Sequence, residues 1–287
     1  MSTTRPRPRK RHGDDRYSKV PTLRVLTLNV HGWTDAHAQP NGSRVAELLH
    51  DQAPDLVAFQ EVSSLPVIEK GRPRRSTLAW LADVCGYNHS GADRRGCALL
   101  SRFPITAVED ITSSAKGARR KRSNGHFESR LLACAVETPK GPLRLMVLHL
   151  NHAHAERRMH QIERVLEAYE AGMPNASRDP CLWLGDFNAL SRGDYTSIRW
   201  QEIATERKRN RWEDPRTDVV ERIEGSSLRD CWRHAGGRGL VPTCRFGTRV
   251  DYIWADSKLL AKWSLTSCEA LKWDGSDHRP VLATFRL

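Results

Sequence analysis

Short apolar runs recur along the chain, and their length and continuity predict β-strands that are covered on both faces. Eight runs have this character: LRVLTLNV (23–30), DLVAFQEV (55–62), CALLSRFPI (97–105), LLACAVET (131–138), RLMVLHL (144–150), CLWLGDFN (181–188), VDYIWA (250–255) and VLATFRL (281–287). Turn residues or longer polar segments separate them, so each run is expected to be a strand of its own.

Between some of these runs, apolar residues recur at the spacing of an amphipathic helix. SRVAELLHDQAP is predicted to be helical, with Ser43 as its N-cap and Pro54 just beyond its end. STLAWLADVCG offers Ser76 as a cap and Gly86 as a stop. The helix in HAERRMHQIERVLEAYEAG is expected to end at Gly172 and to bury one stripe of residues: Met159, Ile162, Val165, Leu166 and Tyr169.

The alternation of strands and helices predicts an α/β fold. The middle strands follow one another closely, as antiparallel pairs do, whereas helices connect others. This order favours two sheets packed face to face with helices outside. The polar segment 192–218 is expected to be an insertion with a short helix around Ile198–Ala204. We therefore predict one folded domain, residues 23–287, after a disordered basic tail, residues 1–22.

The charge balance narrows the class of partner. The chain has 287 residues and a formal net charge of +12, which favours nucleic acid or an anionic membrane as a partner. A basic surface also aids solubility without any specific partner. The tail sequence RPRPRKR fits a nuclear address or a nucleic-acid arm, and it fits equally a solvated segment with no role.

The cysteines and the hydropathy bear on the compartment. Seven scattered cysteines without a C-x-x-C pair indicate reduced thiols in an intracellular protein, cytoplasmic or nuclear, with an organelle left open. No apolar run reaches the roughly 18 residues that span a bilayer. We therefore expect no stable membrane association, and we expect a monomer.

Polar side chains stand at the ends of several predicted strands. Each one alone is usually a cap or a hydrogen-bonded buried group, which is the simpler interpretation of a single short motif. In CLWLGDFN, alternation along the strand would direct Asp186 and Asn188 to the same face. Together the set supplies carboxylates, amides and imidazoles to one rim if the strand ends converge: Asn29, Gln60, Glu61, His149, Asp186, Asn188, Asp251, Ser276, Asp277 and His278.

Six ordered signatures resemble those of the endonuclease/exonuclease/phosphatase family: LTLNVHGW, AFQEV, VLHLN, LGDFNAL, RVDYIWAD and GSDHRPVLATF. The resemblance extends over about residues 23–287, and the occurrence of all six in order makes it specific. It implies a two-sheet, four-layer α/β sandwich with helices on the outer faces. It also implies a phosphoester hydrolase that uses Mg²⁺ or Mn²⁺.

The resemblance implies a metal site of hard oxygen ligands, which suit a divalent ion that neutralises an anionic phosphodiester. Glu61 would be the main ligand, and Asn29 would lie near it. Asp277 would complete the site through water or a second metal ion.

By the same resemblance, five side chains would carry the catalysis. Asp186 would orient or deprotonate the attacking water, and Asn188 would donate to phosphate oxygens. Asp251 would hydrogen-bond His278, which fixes the tautomer of the imidazole and favours its cationic form. His278 and His149 would stabilise the charge that develops on the oxygens bound to phosphorus. Which group accepts the proton of the water stays open.

Two further features suggest contacts with the substrate. Trp33 closely follows Asn29 and is expected to reach the substrate, whereas Trp183 and Trp254 lie in apolar runs and are expected in the core. The other feature is a basic run that would grip a phosphate backbone or simply be solvated: Arg119, Arg120, Lys121 and Arg122.

The substrate is the least determined part of the prediction. The family includes DNA-repair nucleases, deadenylases, sphingomyelinases, inositol-polyphosphate phosphatases and enzymes that release tyrosine from DNA ends. No tyrosine lies between Phe103 and Arg130, which argues against the abasic-site nucleases, while HAERRMHQIERVL resembles a helix of the tyrosyl-DNA phosphodiesterases. We predict a Mg²⁺-dependent phosphodiesterase or nuclease that acts on nucleic acid. Hydrolysis of an inositol phosphate or a sphingolipid stays open, as does an inactive nucleic-acid-binding module.

Overall fold

The computed structural model of the protein describes residues 22–63, 66–69, 72–91, 96–112 and 131–287. Residues 1–21 of the predicted tail lie outside the described residues. The strands are β1 Thr22–Asn29, β2 Leu56–Val62, β3 Pro66–Glu69, β4 Arg72–Ser76, β5 Asn88–Gly91, β6 Gly96–Ser101, β7 Ile105–Asp110, β8 Leu131–Thr138, β9 Gly141–His149, β10 Cys181–Asp186, β11 Leu228–Asp230, β12 Asp251–Asp256, β13 Ser264–Ala270 and β14 Val281–Arg286. The α-helices are α1 Gly42–Gln52, α2 Thr77–Cys85, α3 Ala155–Glu170, α4 Ser197–Arg209, α5 Asp218–Glu224, α6 Cys231–His234 and α7 Ser257–Lys262.

Two six-stranded sheets contain most of the strands, and β3 pairs with β4 separately. The first sheet has the order β13-β14-β1-β2-β6-β5, and the second has the order β11-β12-β10-β9-β8-β7. In each sheet two central strands run parallel, β1 beside β2 and β9 beside β10. The carboxyl ends of each parallel pair therefore lie side by side, and these are the ends that carry the polar residues.

Three apolar cores separate four layers. The central core joins the facing sides of the two sheets, for example Leu23 and Val25 of β1 with Leu145 and Val147 of β9. The other side of the first sheet packs on α1 and α2. The other side of the second sheet packs on α3 and α5. The arrangement confirms the predicted two-sheet α/β sandwich with helices on its outer faces.

Most predicted elements are found close to their predicted positions. The run CALLSRFPI holds the end of one strand and the start of another, because β6 ends at Ser101 and β7 begins at Ile105. Ser76 caps α2 by accepting from the backbone N–H of Ala79 at 3.3 Å. Gly86 ends that helix with a φ of 72°, as the sequence predicted.

Two helix predictions need correction. Ser43 is not an N-cap, because α1 already begins at Gly42 and Asn41 is the residue before it. The amide of Asn41 is committed to backbone carbonyls that fix the entry to the helix: those of Val30, Thr34 and Gly275. The helix expected around Ile198–Ala204 is thirteen residues long. Only Ile203 of that helix is buried, so its apolar periodicity was too weak to mark its full length.

The structure also bears on the cysteines and on membrane insertion. Within the described residues, none of the cysteines is joined to another by a disulfide. Within the described ranges, no helix has the length and apolar character needed to cross a membrane.

Gly185 allows β9 and β10 to approach closely just before the polar strand end. Its φ is +149°, in the region that favours glycine. A Cβ added there would lie 1.9 Å from the carbonyl oxygen of Leu148. A side chain at this position would therefore push β10 away from β9 and would separate Asp186 from His149.

We expect Gly185→Ala to lower the free energy of unfolding by about 3 kcal/mol, because the clash is with backbone that cannot rotate away. Gly141→Ala is the matched control, since Gly141 also has a positive φ of +100° but no atom lies within 4 Å of an added Cβ. Urea unfolding followed by circular dichroism measures both variants. Equal losses would show that backbone conformation alone, and not the approach of the strands, requires glycine at 185.

Candidate active site

The ends of five strands from both sheets bring polar side chains together at one edge of the sandwich. β1 and β2 carry Asn29 and Glu61 from the first sheet. β9, β10 and β12 carry His149, Asp186 and Asp251 from the second sheet. The last three lie side by side, because His149 pairs in register with Asp186 and Asp186 pairs with Asp251. The predicted convergence of strand ends is therefore present in the fold.

An irregularity near the end of β2 directs Glu61. The register between β2 and β6 shifts between Phe59 and Val62, and Glu61 itself has a φ of 54°, which non-glycine residues rarely adopt. Bulges of this kind redirect a side chain and are common beside active sites. The Glu61 side chain is 21% exposed, whereas that of Asp186 is 2% exposed. Glu61 is thus the more accessible of these two carboxylates to a hydrated ion.

Asn29 connects carboxylates from the two sheets. Its Nδ2 donates to Glu61 Oε1 at 3.0 Å and to Asp186 Oδ2 at 3.1 Å. Its Oδ1 accepts from the backbone N–H of His31 at 3.0 Å. His149 Nε2 lies 3.8 Å from each of the same two carboxylate oxygens. Two like charges held this close are costly, and a cation at this place would reduce that cost.

Asp186 is oriented from both sides. Besides the contact with Asn29, its Oδ1 accepts from the backbone N–H of Asn188 at 2.9 Å. β10 ends at Asp186, so the alternation predicted from CLWLGDFN does not extend to Asn188, which has a φ of 47°. The Asn188 Nδ2 donates to the carbonyl of Leu150 at 3.1 Å. Asn188 therefore reaches the site through a turn rather than along a strand.

Asp251 and His278 form the contact that the sequence predicted. His278 Nδ1 lies 2.9 Å from Asp251 Oδ2, and His278 Nε2 lies 3.8 Å from Asp186 Oδ2. Burial alone would lower the pKa of His278, but the charges of Asp251 and Asp186 raise it well above its ordinary value. Burial raises the pKa of Asp251 to about 6, against the opposing charge of His278. At neutral pH the pair is therefore a carboxylate and an imidazolium, with the Nδ1–H donating to Asp251.

Asp277 lies between two basic side chains at the rim of the site. Its Oδ1 is 3.9 Å from His31 Nδ1, and its Oδ2 is 3.6 Å from Arg245 Nε. The neighbouring Ser276 Oγ donates to the backbone carbonyl of Asn29 at 2.8 Å, which anchors this segment to the end of β1. Asp277 Oδ1 is buried without a hydrogen-bond partner, so this oxygen is available to a ligand.

The donor chemistry distinguishes two possible cation sites. One set of described residues has ligand atoms that all lie within 4.8 Å of one another: Asp186, Asp251 and His278. His278 Nδ1 and Asp251 Oδ2 of this set already contact each other at 2.9 Å, so a hydrogen bond accounts for part of this cluster. Glu61 and Asn29 offer hard oxygens, and Asp277 adds the buried oxygen without a hydrogen-bond partner. Oxygen ligands of this kind are those that Mg²⁺ and Mn²⁺ prefer, so the assignment of these three residues to a metal stays a prediction.

The expectation that Trp33 reaches a substrate is wrong. Its side chain is 2% exposed, its ring centroid is 5.5 Å from that of Phe59, and its Nε1 donates to the carbonyl of Ser63 at 3.1 Å. His31, Gly32 and Trp33 all have positive φ, and this tight turn carries the indole inward. The spacing of residues along the sequence could not predict that this turn directs the indole into the core.

The prediction that Trp183 and Trp254 lie in the core can be compared with the structure, whereas the prediction for the basic run cannot. Trp183 and Trp254 are 0% and 1% exposed, as expected for core residues. The basic run Arg119–Arg122 lies outside the described residues, so its contact with a substrate stays a prediction.

Three residues near the site were missed from the sequence. Thr243 Oγ1 accepts from the backbone N–H groups of Val250 and Asp251 at 3.0 and 3.1 Å, and so fixes the start of β12. His31 and Arg245 flank Asp277. The signature LTLNVHGW contains His31 and could have indicated it, but Thr243 and Arg245 lie in a loop without periodicity.

Comparison with known proteins gives the same family as the sequence signatures. The profile described as the Endonuclease/Exonuclease/phosphatase family matches residues 26–278. No curated protein sequence matches the chain significantly.

Several solved structures share the fold at low sequence identity. An endonuclease/exonuclease/phosphatase from Beutenbergia cavernae is 19% identical, with a TM-score of 0.65 over 93% of this chain and 72% of that one. TDP2 from D. rerio, complexed with a single-strand DNA product, is 17% identical, with a TM-score of 0.64 over 93% of this chain and 99% of that one. The human Nocturnin catalytic domain with a bound sulfate anion is 19% identical, with a TM-score of 0.64 over 92% of this chain and 93% of that one. At these identities the similarity concerns the fold alone.

Proposed function

The chain belongs to the endonuclease/exonuclease/phosphatase family, and we propose that it is a divalent-metal-dependent phosphodiesterase that cleaves nucleic acid. Members of this family hydrolyse phosphoester bonds. One observation carries the proposal: Glu61, Asp186 and the Asp251–His278 pair converge where five strands end. Phosphodiester hydrolysis needs positive charge against the anion, an oriented water, and donors for the charge that develops. The cluster offers a group for each requirement.

The carboxylate from the first sheet would bind the metal ion. Glu61 and Asn29 would hold it, and Asp277 would join them directly or through water. When bound, a divalent ion neutralises part of the phosphodiester charge and favours attack by water. The contacts of one Asn29 amide with both Glu61 and Asp186 support this assignment, because a cation bound there would reduce the repulsion between the two carboxylates.

Asp186 would orient the attacking water. Its two oxygens are fixed by Asn188 and Asn29, so the carboxylate cannot rotate freely. The Nε2 atoms of His149 and His278 each lie 3.8 Å from Asp186 Oδ2. That separation is too long for a direct hydrogen bond, and a water that donates to Asp186 and accepts from an imidazole N–H would connect the two groups.

The two histidines and Asn188 would stabilise the reacting phosphate. His278 is held cationic by Asp251, so its Nε2–H can donate to an oxygen whose negative charge increases in the transition state. His149 would act from the neighbouring strand end. One N–H of the Asn188 amide is used by Leu150, and the other would donate to the phosphate.

Nucleic acid is the substrate class that the charge favours. The net charge of +12 attracts a polyanion more strongly than it attracts a small phosphate ester. The fold is also shared with D. rerio TDP2, which was observed with a single-strand DNA product. An inactive binding module would not need these catalytic side chains. This chain has all four that the proposal uses at the strand ends, namely Glu61, Asp186, Asp251 and His278.

The test is hydrolysis of a panel of substrates: single-stranded DNA, single-stranded RNA, duplex DNA with an abasic site, 5′-tyrosyl DNA, sphingomyelin and an inositol polyphosphate. Each is assayed with Mg²⁺, with Mn²⁺ and with a chelator. We expect cleavage of at least one single-stranded nucleic acid, and we expect the chelator to abolish it.

The control is a pair of variants assayed with the metal present, one at the residue proposed to orient the water and one at an exposed residue. Asp186→Asn should lose the activity, whereas Asp274→Asn, at a side chain that is 91% exposed, should retain it. Cleavage that survives the chelator would overturn the metal dependence. Turnover confined to sphingomyelin or the inositol phosphate would overturn the choice of nucleic acid.

A further inference from the structure

Two large aromatic side chains are exposed beside the candidate active site. Trp212, in the loop after α4, is 43% exposed, and Phe246, in the loop before β12, is 40% exposed. Their ring centroids are 5.1 Å apart, with the ring planes at 82°. Two exposed rings side by side offer a surface on which a flat ligand can stack.

The aromatic pair is connected to the catalytic segment through Arg245. The Arg245 guanidinium carbon lies 4.8 Å from the centre of the Phe246 ring. Its Nε lies 3.6 Å from Asp277 Oδ2, and its backbone N–H donates to the Asp277 carbonyl at 2.8 Å. Phe246 is therefore separated from Asp277, the neighbour of His278, by one side chain.

The loop that carries Trp212 is fixed to the body of the domain. The Trp212 N–H donates to the carbonyl of Arg207 at 2.8 Å, and Arg207 Nε donates to the carbonyl of Glu213 at 2.7 Å. The Glu213 carboxylate pairs with Arg158 and accepts from the N–H of Ala155, the first residue of α3. The loop that carries the indole is thus held in place by hydrogen bonds to α3 and α4.

The loop that carries Phe246 is fixed to the active site itself. Cys244 pairs with His278 as an isolated β-bridge, and the N–H of Gly247 closes a turn onto the carbonyl of Cys244 at 3.0 Å. Arg199 of α4 donates to the carbonyl of Phe246 at 3.4 Å. The backbone that carries Phe246 is therefore held next to the backbone of His278.

The surroundings of the pair suit a ligand with flat rings and negative charge. Arg245 is 55% exposed and Arg199 is 31% exposed, so both guanidinium groups reach solvent next to the rings. Unpaired bases stack on aromatic side chains in proteins that bind single strands, and arginines beside them contact the phosphates. A lipid chain would use the rings but not the guanidinium groups, and an inositol phosphate would use the charge but not the rings.

We propose that Trp212 and Phe246 form a nucleobase subsite, on which an unpaired base close to the cleaved phosphodiester stacks while Arg245 contacts the phosphate backbone. This inference rests on the proposed nuclease function and specifies its substrate as single-stranded nucleic acid. The subsite supplies affinity and position and takes no part in bond cleavage.

The test compares Trp212→Ala and Phe246→Ala with the wild type on a single-stranded oligonucleotide and on methyl 4-nitrophenyl phosphate, a phosphodiester without a base. We expect KM for the oligonucleotide to rise roughly tenfold in each variant, in line with the loss of one stacked base, while kcat changes little. Hydrolysis of the small phosphodiester should be unchanged. Trp212→Phe should restore most of the affinity, because a phenyl ring also stacks.

A control variant and the possible results distinguish failure of the subsite from failure of the nuclease function on which it rests. Val84→Ala removes an exposed apolar side chain from α2, on an outer face, and should leave KM unchanged. If the wild type cleaves the oligonucleotide and the alanine variants have the same KM, the subsite is refuted and the nuclease function stands. If the wild type cleaves no nucleic acid, both fall. Equal losses on both substrates would show that the pair only supports the active site, which also refutes the subsite.

Discussion

Glu61→Gln is expected to reduce phosphoester hydrolysis by about a hundredfold or more when the divalent metal is limiting. The substitution removes one negative charge and keeps the size of the side chain. The glutamine oxygen can still accept from Asn29 Nδ2, as Glu61 Oε1 does now at 3.0 Å. The local fold of β2 should therefore persist, and the loss should come from weaker binding of the cation.

The measurement is the rate as a function of Mg²⁺ concentration. We expect the concentration that gives half-maximal activity to rise sharply in Glu61→Gln, with partial recovery at high Mg²⁺. Glu137→Gln is the matched control, because Glu137 is an exposed glutamate on a strand, β8, outside the cluster. Full activity of Glu61→Gln at limiting metal would remove Glu61 from the metal site. A loss with an unchanged Mg²⁺ dependence would assign it a different role.

The sequence predicted the central strands better than the edges of the sheets. Continuous apolar runs marked β1, β2, β8, β9, β10, β12 and β14 because both faces of these strands are covered. The edge strand β13 has one buried residue, Cys268, in the sequence SLTSCEA, and β7 has none in ITAVED. Strands with so little burial carry no apolar signal, so hydrogen bonding to a neighbouring strand decides their conformation.

The same distinction applies to the candidate site. Residues at the ends of central strands were predictable, since the parallel pairs bring those ends to one edge. The inward turn of Trp33 depends on three consecutive positive φ angles, and no spacing rule contains that information. Trp212 and Phe246 are 34 positions apart in loops, and only the tertiary fold brings their rings within 5.1 Å. Sequence patterns could therefore not predict the positions of Trp212 and Phe246 or the direction of Trp33, whereas the family signatures indicated Asn188, Asp277 and His278, which also lie in loops.

Asp251→Asn and His278→Ala are each expected to lower kcat by roughly 10²- to 10⁴-fold, the range for a positioned proton donor or a charge that acts in the transition state. Neither change should unfold the protein. The asparagine side chain introduced by Asp251→Asn has nearly the shape of the carboxylate and can still accept from His278, and Thr243 would still hold the start of β12. If the pair acts as a unit, the double variant should be no more than about threefold slower than the worse single variant.

A second measurement identifies the reason for the coupling. Burial lowers the pKa of His278, and the charges of Asp251 and Asp186 overcome that effect. Asp251→Asn removes the larger of these two charge effects, so the pKa of His278 should fall, and NMR of the histidine side chain should detect the change. The imidazole would then be less often cationic at neutral pH and would stabilise the developing phosphate charge less well. Rate losses that multiply in the double variant, together with an unchanged pKa of His278 in Asp251→Asn, would show that the 2.9 Å contact is structural and that the two groups act independently.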